Sequence, residues 1–80
     1  MAGATIFGYN DDDGIEGGNG NDRLYGHNGN DDVSGGDGDD KLFGENNDDV
    51  LDGGNDTDLI NGQGGTDTCA NGETNINCEL

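Results

Sequence analysis

Several kinds of residue are scarce or missing in this chain. The shortage of bases and of apolar runs argues against several kinds of partner and segment. There is no proline and no tryptophan, and two bases stand against 19 acids, which gives a net charge of −17. Such an acidic chain disfavours nucleic acid and anionic membranes as partners and favours bound cations. The sequence shows no long apolar run and no basic segment leading into one, so we expect neither membrane insertion nor a cleavable signal peptide.

Apolar residues are also few. They make up 26% of the 80 residues, a content typical of disordered chains, which cannot bury enough apolar surface to offset their ordering entropy. The acids, however, are 15 Asp against four Glu, and Asp is a turn residue. The chain is therefore predicted to be one small domain at most, rich in turns.

Side chains that carry enzyme chemistry are nearly absent. The chain has a single histidine, His27, a single serine, Ser34, and two cysteines. A nucleophile with its base, or a zinc or copper centre, needs more such groups close together. We therefore predict that the chain is not an enzyme, and we interpret His27 as a solvated turn residue.

What the sequence does contain is a repeat of nine residues, seen at three positions. Asp recurs at Asp13, Asp22, Asp31, Asp40, Asp49, Asp58 and Asp67. Gly recurs at Gly8, Gly17, Gly26, Gly35, Gly44, Gly53 and Gly62. An apolar residue recurs at Ile6, Ile15, Leu24, Val33, Leu42, Leu51 and Ile60, followed by Cys69 and Cys78. Such a period indicates a solenoid.

Each unit divides into six turn residues and three strand residues, as in 17–22 followed by 23–25. Glycine and asparagine tolerate the positive φ of a tight turn. The middle strand residue is the apolar one, so it is predicted to point inward. The second turn position alternates between a larger residue and glycine, which gives a further period of 18. This period predicts two sheets, with one winding every 18 residues.

At these residues the sequence resembles the RTX (repeats-in-toxin) family, whose calcium-binding nonapeptide is G-G-x-G-x-D-x-U-x. The unit 35–43, GGDGDDKLF, matches every fixed position, and the resemblance covers about residues 5–70. It implies an all-β, right-handed parallel β-roll of two short-stranded sheets with calcium in the turns. It also implies a secreted bacterial protein, often exported by a type I system. We expect the roll at 1–70 and a C-terminal cap at 71–80.

The resemblance implies that calcium lies between a turn and the turn one winding later, held by Asp carboxylates and turn carbonyls. Stacking predicts five sites: Asp13/Asp31, Asp31/Asp49 and Asp49/Asp67 in one row of turns, and Asp22/Asp40 and Asp40/Asp58 in the other. Five calcium ions would reduce the net charge from −17 to −7. The carbonyl ligands are expected at the first, third and fourth turn positions: Gly8, Asn10, Asp11, Gly17, Asn19, Gly20, Gly26, Asn28, Gly29, Gly35, Asp37, Gly38, Gly44, Asn46, Asn47, Gly53, Asn55, Asp56, Gly62, Gly64 and Gly65.

Some turns depart from the family pattern. Asp11, Asn47 and Asp56 replace glycine at the fourth turn position. Asp and Asn are the residues best able to adopt positive φ, so we expect altered affinity rather than lost sites.

The two cysteines are nine residues apart and share the inward register. We expect them on consecutive strands of opposite sheets, in a roll that narrows enough at its end for a disulfide. The intervening turn, 71–76, has Ile76 where Asp is expected, so the repeat is predicted to end there. A disulfide would indicate an oxidising, extracellular setting. Two free buried thiols are the alternative.

Both bases and three of the four aromatic residues are predicted on the outward face of one sheet, at Phe7, Arg23, Tyr25, Lys41 and Phe43. Cross-strand packing is one interpretation. Binding of an acidic polysaccharide or a partner domain is the other.

The leading functional hypothesis is a calcium-responsive module that folds outside the cell and stabilises, or helps to export, the protein to which it belongs. One alternative is a glycan-binding or adhesin-type module that uses the Arg23, Tyr25, Lys41 and Phe43 face. The other is a C-terminal fragment of a secreted hydrolase or epimerase.

Overall fold

The computed structural model describes residues 3, 5–72, 74–76 and 78, with only the backbone of residue 75. These residues form strands of three residues each, without a helix among them. The strands are Thr5–Phe7 (β1), Gly14–Glu16 (β2), Arg23–Tyr25 (β3), Asp32–Ser34 (β4), Lys41–Phe43 (β5), Val50–Asp52 (β6), Leu59–Asn61 (β7), Thr68–Ala70 (β8) and Thr74–Ile76 (β9).

The odd-numbered strands form a five-stranded sheet, and the even-numbered strands form a four-stranded sheet. Every pair is parallel, and from β1 to β8 paired residues are 18 apart in sequence, as in Ile6 with Leu24 and Ile15 with Val33. The chain therefore alternates between sheets with each strand and completes a winding every 18 residues. The prediction of a parallel two-sheet β-roll is confirmed.

The core is a single column of side chains between the two sheets. It consists of the middle residue of each strand from β2 to β8, at 6% exposure or less: Ile15, Leu24, Val33, Leu42, Leu51, Ile60 and Cys69. Ile6 and Cys78 pack against the two ends of this column. In a three-residue strand the middle side chain points to the opposite face from its two neighbours. Because the middle one points inward here, each nonapeptide contributes one apolar side chain to the core.

Every turn from β1 to β8 has positive φ at its second and fourth residues. Glycine fills many of these places, and Asp11, Asn47 and Asp56 adopt φ of 71–74° at the fourth position, as predicted. The second position in one row of turns holds larger residues with φ of 62–69°: Tyr9, His27, Glu45 and Gln63. All four are in the left-handed region, which costs about 1–2 kcal/mol for a residue with a Cβ.

The C-terminal end departs from the predicted register. Only three residues separate β8 from β9, and β9 pairs with β7 at a spacing of 15, with Leu59 opposite Thr74. Ile76 therefore lies in a strand and not at the end of a six-residue turn, so the expected register of 71–76 is wrong. The boundary between roll and cap stays a prediction, and residues 73, 77, 79 and 80 of that cap lie outside the described residues.

Candidate metal-binding turns

The seven repeating aspartates occupy the last position of each turn, immediately before a strand. Six of them are at most 1% exposed: Asp22, Asp31, Asp40, Asp49, Asp58 and Asp67. Asp13, in the first turn, is half-buried. Burial of a carboxylate is costly unless hydrogen bonds or a cation compensate for the lost hydration. These positions therefore need an explanation beyond packing.

One oxygen of each carboxylate from Asp31 onward holds two windings together. The backbone N–H of Asp22 donates to Asp40 Oδ1 at 2.8 Å, and the N–H of Asp40 donates to Asp58 Oδ1 at 2.7 Å. In the other row the same bond joins the remaining predicted pairs, Asp13 with Asp31, Asp31 with Asp49 and Asp49 with Asp67. All five pairs of turns are thus in direct contact, with the predicted 18-residue spacing.

The second carboxylate oxygen has a different environment. In the described part of the chain, the Oδ2 atoms of Asp13, Asp31, Asp40 and Asp49 are buried and accept no hydrogen bond. A buried acceptor in this state costs about 1–3 kcal/mol, and more when it is charged. A bound cation would satisfy these atoms.

Glycine at the first turn position leaves room beside this oxygen. A Cβ on Gly35 would lie 2.6 Å from Asp40 Oδ2 and 2.7 Å from the carbonyl oxygen of Gly53. The same two kinds of oxygen surround Gly8, Gly17, Gly26 and Gly44 at 2.6–3.1 Å. Each of these glycines therefore leaves a space, which we call the glycine cradle, between the carboxylate of one turn and a backbone carbonyl of the turn one winding later. Any side chain at the glycine would fill this space.

This donor set suits a hard cation. No three His, Cys, Asp or Glu side chains come together in the described residues, so side chains alone form no metal centre there. Calcium accepts six to eight oxygens with flexible geometry and takes backbone carbonyls as readily as carboxylates. The residues present therefore fit calcium, provided that turn carbonyls supply most of the ligands.

Carbonyls at two turn positions already accept backbone hydrogen bonds. At the second position, the carbonyls of Tyr9, Gly18 and Gly36 bind N–H groups one winding later, at 3.0–3.1 Å. At the sixth position, Asp carbonyls accept the N–H that starts a strand, as Asp22 does from Lys41 at 2.8 Å. The carbonyls of these two positions are not among the predicted carbonyl ligands. The ligand role of the first, third and fourth carbonyls stays a prediction.

Burial changes the acidity of these carboxyl groups. Loss of hydration raises the pKa of Asp31 and Asp40 above the ordinary value of 3.8, and raises the pKa of Asp49 to about 7. Negative neighbours in the same row, such as Asp13 beside Asp31, add to the rise, while hydrogen bonds from the backbone oppose it. Without a cation, the rows of charge oppose the fold.

The fifth turn position has a role that the repeat pattern does not predict. Its side-chain oxygen accepts the backbone N–H of the fifth residue one winding later. Asp12 accepts from Asn30 at 2.8 Å, and Asp48 accepts from Thr66 at 2.7 Å. The only sequence signal is that Asp and Asn fill this position in all turns except the last one of each row, where Thr57 and Thr66 stand.

Third-position side chains form a similar but exposed ladder. Asn28 donates to Asn10 and Asn46 donates to Asn28, each at 3.0 Å. In the other row, Asn55 donates to Asp37 at 2.7 Å. These amides add contacts between windings at the surface.

The predicted disulfide is present. Cys69 and Cys78 are bonded with their Cα atoms 5.8 Å apart, within the range that a disulfide requires. Cys69 lies in β8 as expected, but Cys78 follows β9 and is not in a strand. The expectation that both cysteines lie in consecutive strands is therefore wrong, because β9 begins three residues earlier than the nine-residue period predicts.

The outward face of the five-stranded sheet carries the predicted aromatic ladder. Phe7 stacks on Tyr25 at 4.8 Å, and Tyr25 stacks on Phe43 at 4.9 Å, with the rings within 11° of parallel. Arg23 and Lys41 are direct strand partners beside it. His27 stacks on Tyr9 at 5.5 Å, and its Nε2 lies 3.6 Å from Glu45 Oε2, so it belongs to a side-chain ladder.

In the described residues, no helix has the length and apolar character needed to cross a membrane.

A parallel solenoid with a repeating aspartate in its turns and glycine cradles beside these aspartates is the architecture of a calcium-binding repeat protein. Comparison with family models agrees: the RTX calcium-binding nonapeptide repeat (4 copies) matches residues 7–42 and 34–69. The chain therefore belongs to the RTX calcium-binding nonapeptide repeat family. No curated protein and no solved structure matches the chain significantly. The family is a structural calcium-binding module, and such repeats typically belong to secreted bacterial proteins.

Proposed function

We propose that this chain is a calcium-triggered folding module with about five ions between its turns. The observation that carries the proposal concerns the Oδ2 atoms of four aspartates, which are buried without a hydrogen bond, each beside a glycine cradle: Asp13, Asp31, Asp40 and Asp49. Without a cation these oxygens cost free energy in the fold and none in the unfolded chain. Calcium reverses that balance, so its binding energy becomes folding energy.

The ligands in this proposal are the seven repeating Asp carboxylates and the first, third and fourth carbonyls of the turns. Support for the first-position carbonyls comes from their place beside the same glycine as Oδ2: a Cβ on Gly35 would contact both the Gly53 carbonyl oxygen and Asp40 Oδ2. Asp31, Asp40 and Asp49 each have a turn on both sides in their row, so each contributes to two sites. The terminal aspartates of each row contribute to one.

The proposed setting is outside the cell. Extracellular calcium modules commonly bind with a Kd of about 10⁻⁴–10⁻³ M, so such a module is unfolded in a low-calcium cytosol and folds after export. The disulfide between Cys69 and Cys78 supports this setting, because disulfides persist in oxidising compartments. The module would stabilise, or help to export, the protein of which it is a part, including a secreted hydrolase or epimerase.

A glycan-binding role for the outward face receives less support from the ring geometry. Tyr25 is stacked on both sides, by Phe7 and by Phe43, so its faces are covered by other rings. A sugar packs on an exposed ring face, and this ladder presents mainly ring edges. Arg23 and Lys41 would attract a polyanion, but the stack beside them is built for cross-strand packing.

The test is far-UV circular dichroism of the disulfide-bonded chain during a calcium titration, with calorimetry to count ions. We expect a cooperative change from disordered to β-rich and about five ions bound. Magnesium at the same ionic strength is the control, because its octahedral preference fits flexible carbonyl cages poorly. An unchanged spectrum at millimolar calcium would refute the folding role.

A further inference from the structure

The two broad faces of the roll differ in charge, although the chain as a whole is strongly acidic. The outward residues of β1, β3, β5 and β7 include both bases of the protein, Arg23 and Lys41, and no acid. The outward residues of β2, β4, β6 and β8 include Glu16, Asp32 and Asp52 and no base. We name these the basic face and the acidic face.

The two faces also differ in shape. On the basic face, Phe7, Tyr25 and Phe43 form a continuous ridge with a repeat of 4.8–4.9 Å. On the acidic face lies a groove of about 480 Å³, and a Cβ on Gly14 in its floor would meet nothing within 4 Å. The groove is bordered by Gly14, Glu16, Asp32, Ser34, Val50 and Asp52. Val50 is 51% exposed there, and Phe7 is 43% exposed on the ridge.

From this complementarity we propose that the basic face of one copy docks on the acidic face of a second copy. The aromatic ridge would enter the groove, with Arg23 and Lys41 opposite Glu16 and Asp32. Both faces repeat at the spacing of parallel strands, about 4.8 Å, so contacts made by one winding recur at the next. A second copy thus matches the ridge in charge, shape and period.

The available area is sufficient for a weak complex. The roll measures 27 × 24 × 12 Å, and the shortest dimension corresponds to the distance between sheets. Each broad face therefore offers on the order of 600 Å², at the lower end of specific protein interfaces. Because the two docking faces are different, the contact does not close on itself and successive copies can add.

The overall charge makes this association depend on calcium, so the proposal rests on the proposed function. At −17 the copies repel one another, and bound calcium removes most of that charge. Asp22 and Asp39 border a small groove with Arg23 and Lys41 and partly balance these bases. The basic face is still the part of the surface that an acidic partner approaches with least repulsion.

The experiment is sedimentation velocity in calcium across the micromolar to millimolar range, with circular dichroism to verify folding. Wild type should show a mass that rises with concentration beyond a dimer. Two neutralised variants, Arg23→Gln/Lys41→Gln and Glu16→Gln/Asp32→Asn, should each associate at least about tenfold more weakly. An equal mixture of these two variants should form heterodimers and no larger assembly. The first variant keeps only its acidic face and the second keeps only its basic face, so a single docking contact is possible.

The matched control is Thr57→Glu/Thr66→Glu, which changes the net charge by the same −2 as Arg23→Gln/Lys41→Gln but lies in the turns. It should associate like wild type. A folded chain that stays monomeric overturns the association proposal alone, whereas a chain that calcium does not fold overturns the proposed function. A monomer that binds alginate, an acidic polysaccharide, through Arg23 and Lys41 would make this face a glycan site and would also overturn the proposal.

Discussion

The backbone N–H of Asp22 donates to Oδ1 of Asp40 at 2.8 Å, and both side chains are buried. This bond fixes the Asp40 carboxylate so that its other oxygen lies beside Gly35 and the Gly53 carbonyl. One side chain therefore joins two windings and presents an oxygen to the cradle between them. The nonapeptide needs Asp, because Asn would keep the hydrogen bond but lose the charge.

Asp40 should be the most sensitive acid of its row. Replacing it with Ala removes a ligand from both sites of that row and leaves the buried N–H of Asp22 without its acceptor, which costs about 1–3 kcal/mol. We expect up to two fewer calcium ions by calorimetry and a higher calcium midpoint by circular dichroism. Asp13→Ala is the matched variant, because Asp13 lies in the first turn of its row and contributes to one site only. A larger loss from Asp13→Ala would contradict the stacking of sites.

Gly36 and Gln63 occupy the same turn position in different rows, and both have positive φ, 84° and 62°. A Cβ on Gly36 would overlap the Gly18 carbonyl oxygen, whereas Gln63 already carries one. Gly36→Ala should therefore lower the free energy of unfolding in calcium by more than about 2 kcal/mol. Gln63→Ala should change it by less than about 0.5 kcal/mol. Urea unfolding in saturating calcium measures both, and equal losses would show that the two rows are equivalent.

The sequence predicts much of this fold because each winding repeats the last. Once Leu24 and Leu42 are read as inward, the register of every other strand to β8 follows, and so do the five pairs of aspartates. The fifth-position ladder could not be predicted, since the motif leaves that position variable and only a side-chain oxygen is required. Asp and Asn both satisfy it, as Asp12 and Asn21 do.

Two other features depend on tertiary stacking rather than local preference. Tyr9 and Glu45 have no intrinsic tendency toward positive φ, and they adopt it because contacts with neighbouring turns of the same row fix the backbone path, as in the bond from the Asn28 N–H to the Tyr9 carbonyl. At the C-terminus, the inward-register spacing of Cys78 predicted another six-residue turn. Instead, only three residues separate β8 from β9, and Cys78 forms the disulfide from a position beyond β9.

Reduction of the disulfide should destabilise the calcium-loaded roll without abolishing it. The bond between Cys69 and Cys78 closes a short loop with a separation of nine residues, worth about 2.5 kcal/mol in the chain-entropy model. Urea unfolding with and without a reductant measures this difference. The Cys69→Ser/Cys78→Ser variant should be insensitive to the reductant. If reduction leaves wild-type stability unchanged, the bond has no stabilising role.

Acid should promote folding of the calcium-free chain. The pKa of Asp49 is raised by burial from 3.8 to about 7, and the pKa values of Asp31 and Asp40 are raised in the same direction. A raised pKa means that the folded state binds the proton more tightly than the unfolded chain. The resulting stability is complete below the ordinary value of 3.8 and is lost as the pH rises through about 7.

Calcium should invert this pH dependence, because the ion binds the ionised carboxylate and competes with the proton. We expect the β signal in a chelator to fall between acid and neutral pH, and the apparent calcium affinity to rise over the same interval. Asp49→Asn provides the control: it keeps the Oδ1 acceptor for Asp31 but cannot titrate, so its calcium-free signal should depend less on pH. A calcium-free chain whose β signal increases toward neutral pH would contradict this prediction. It would show that hydration of these carboxylates, and not their burial, determines the stability of the calcium-free fold.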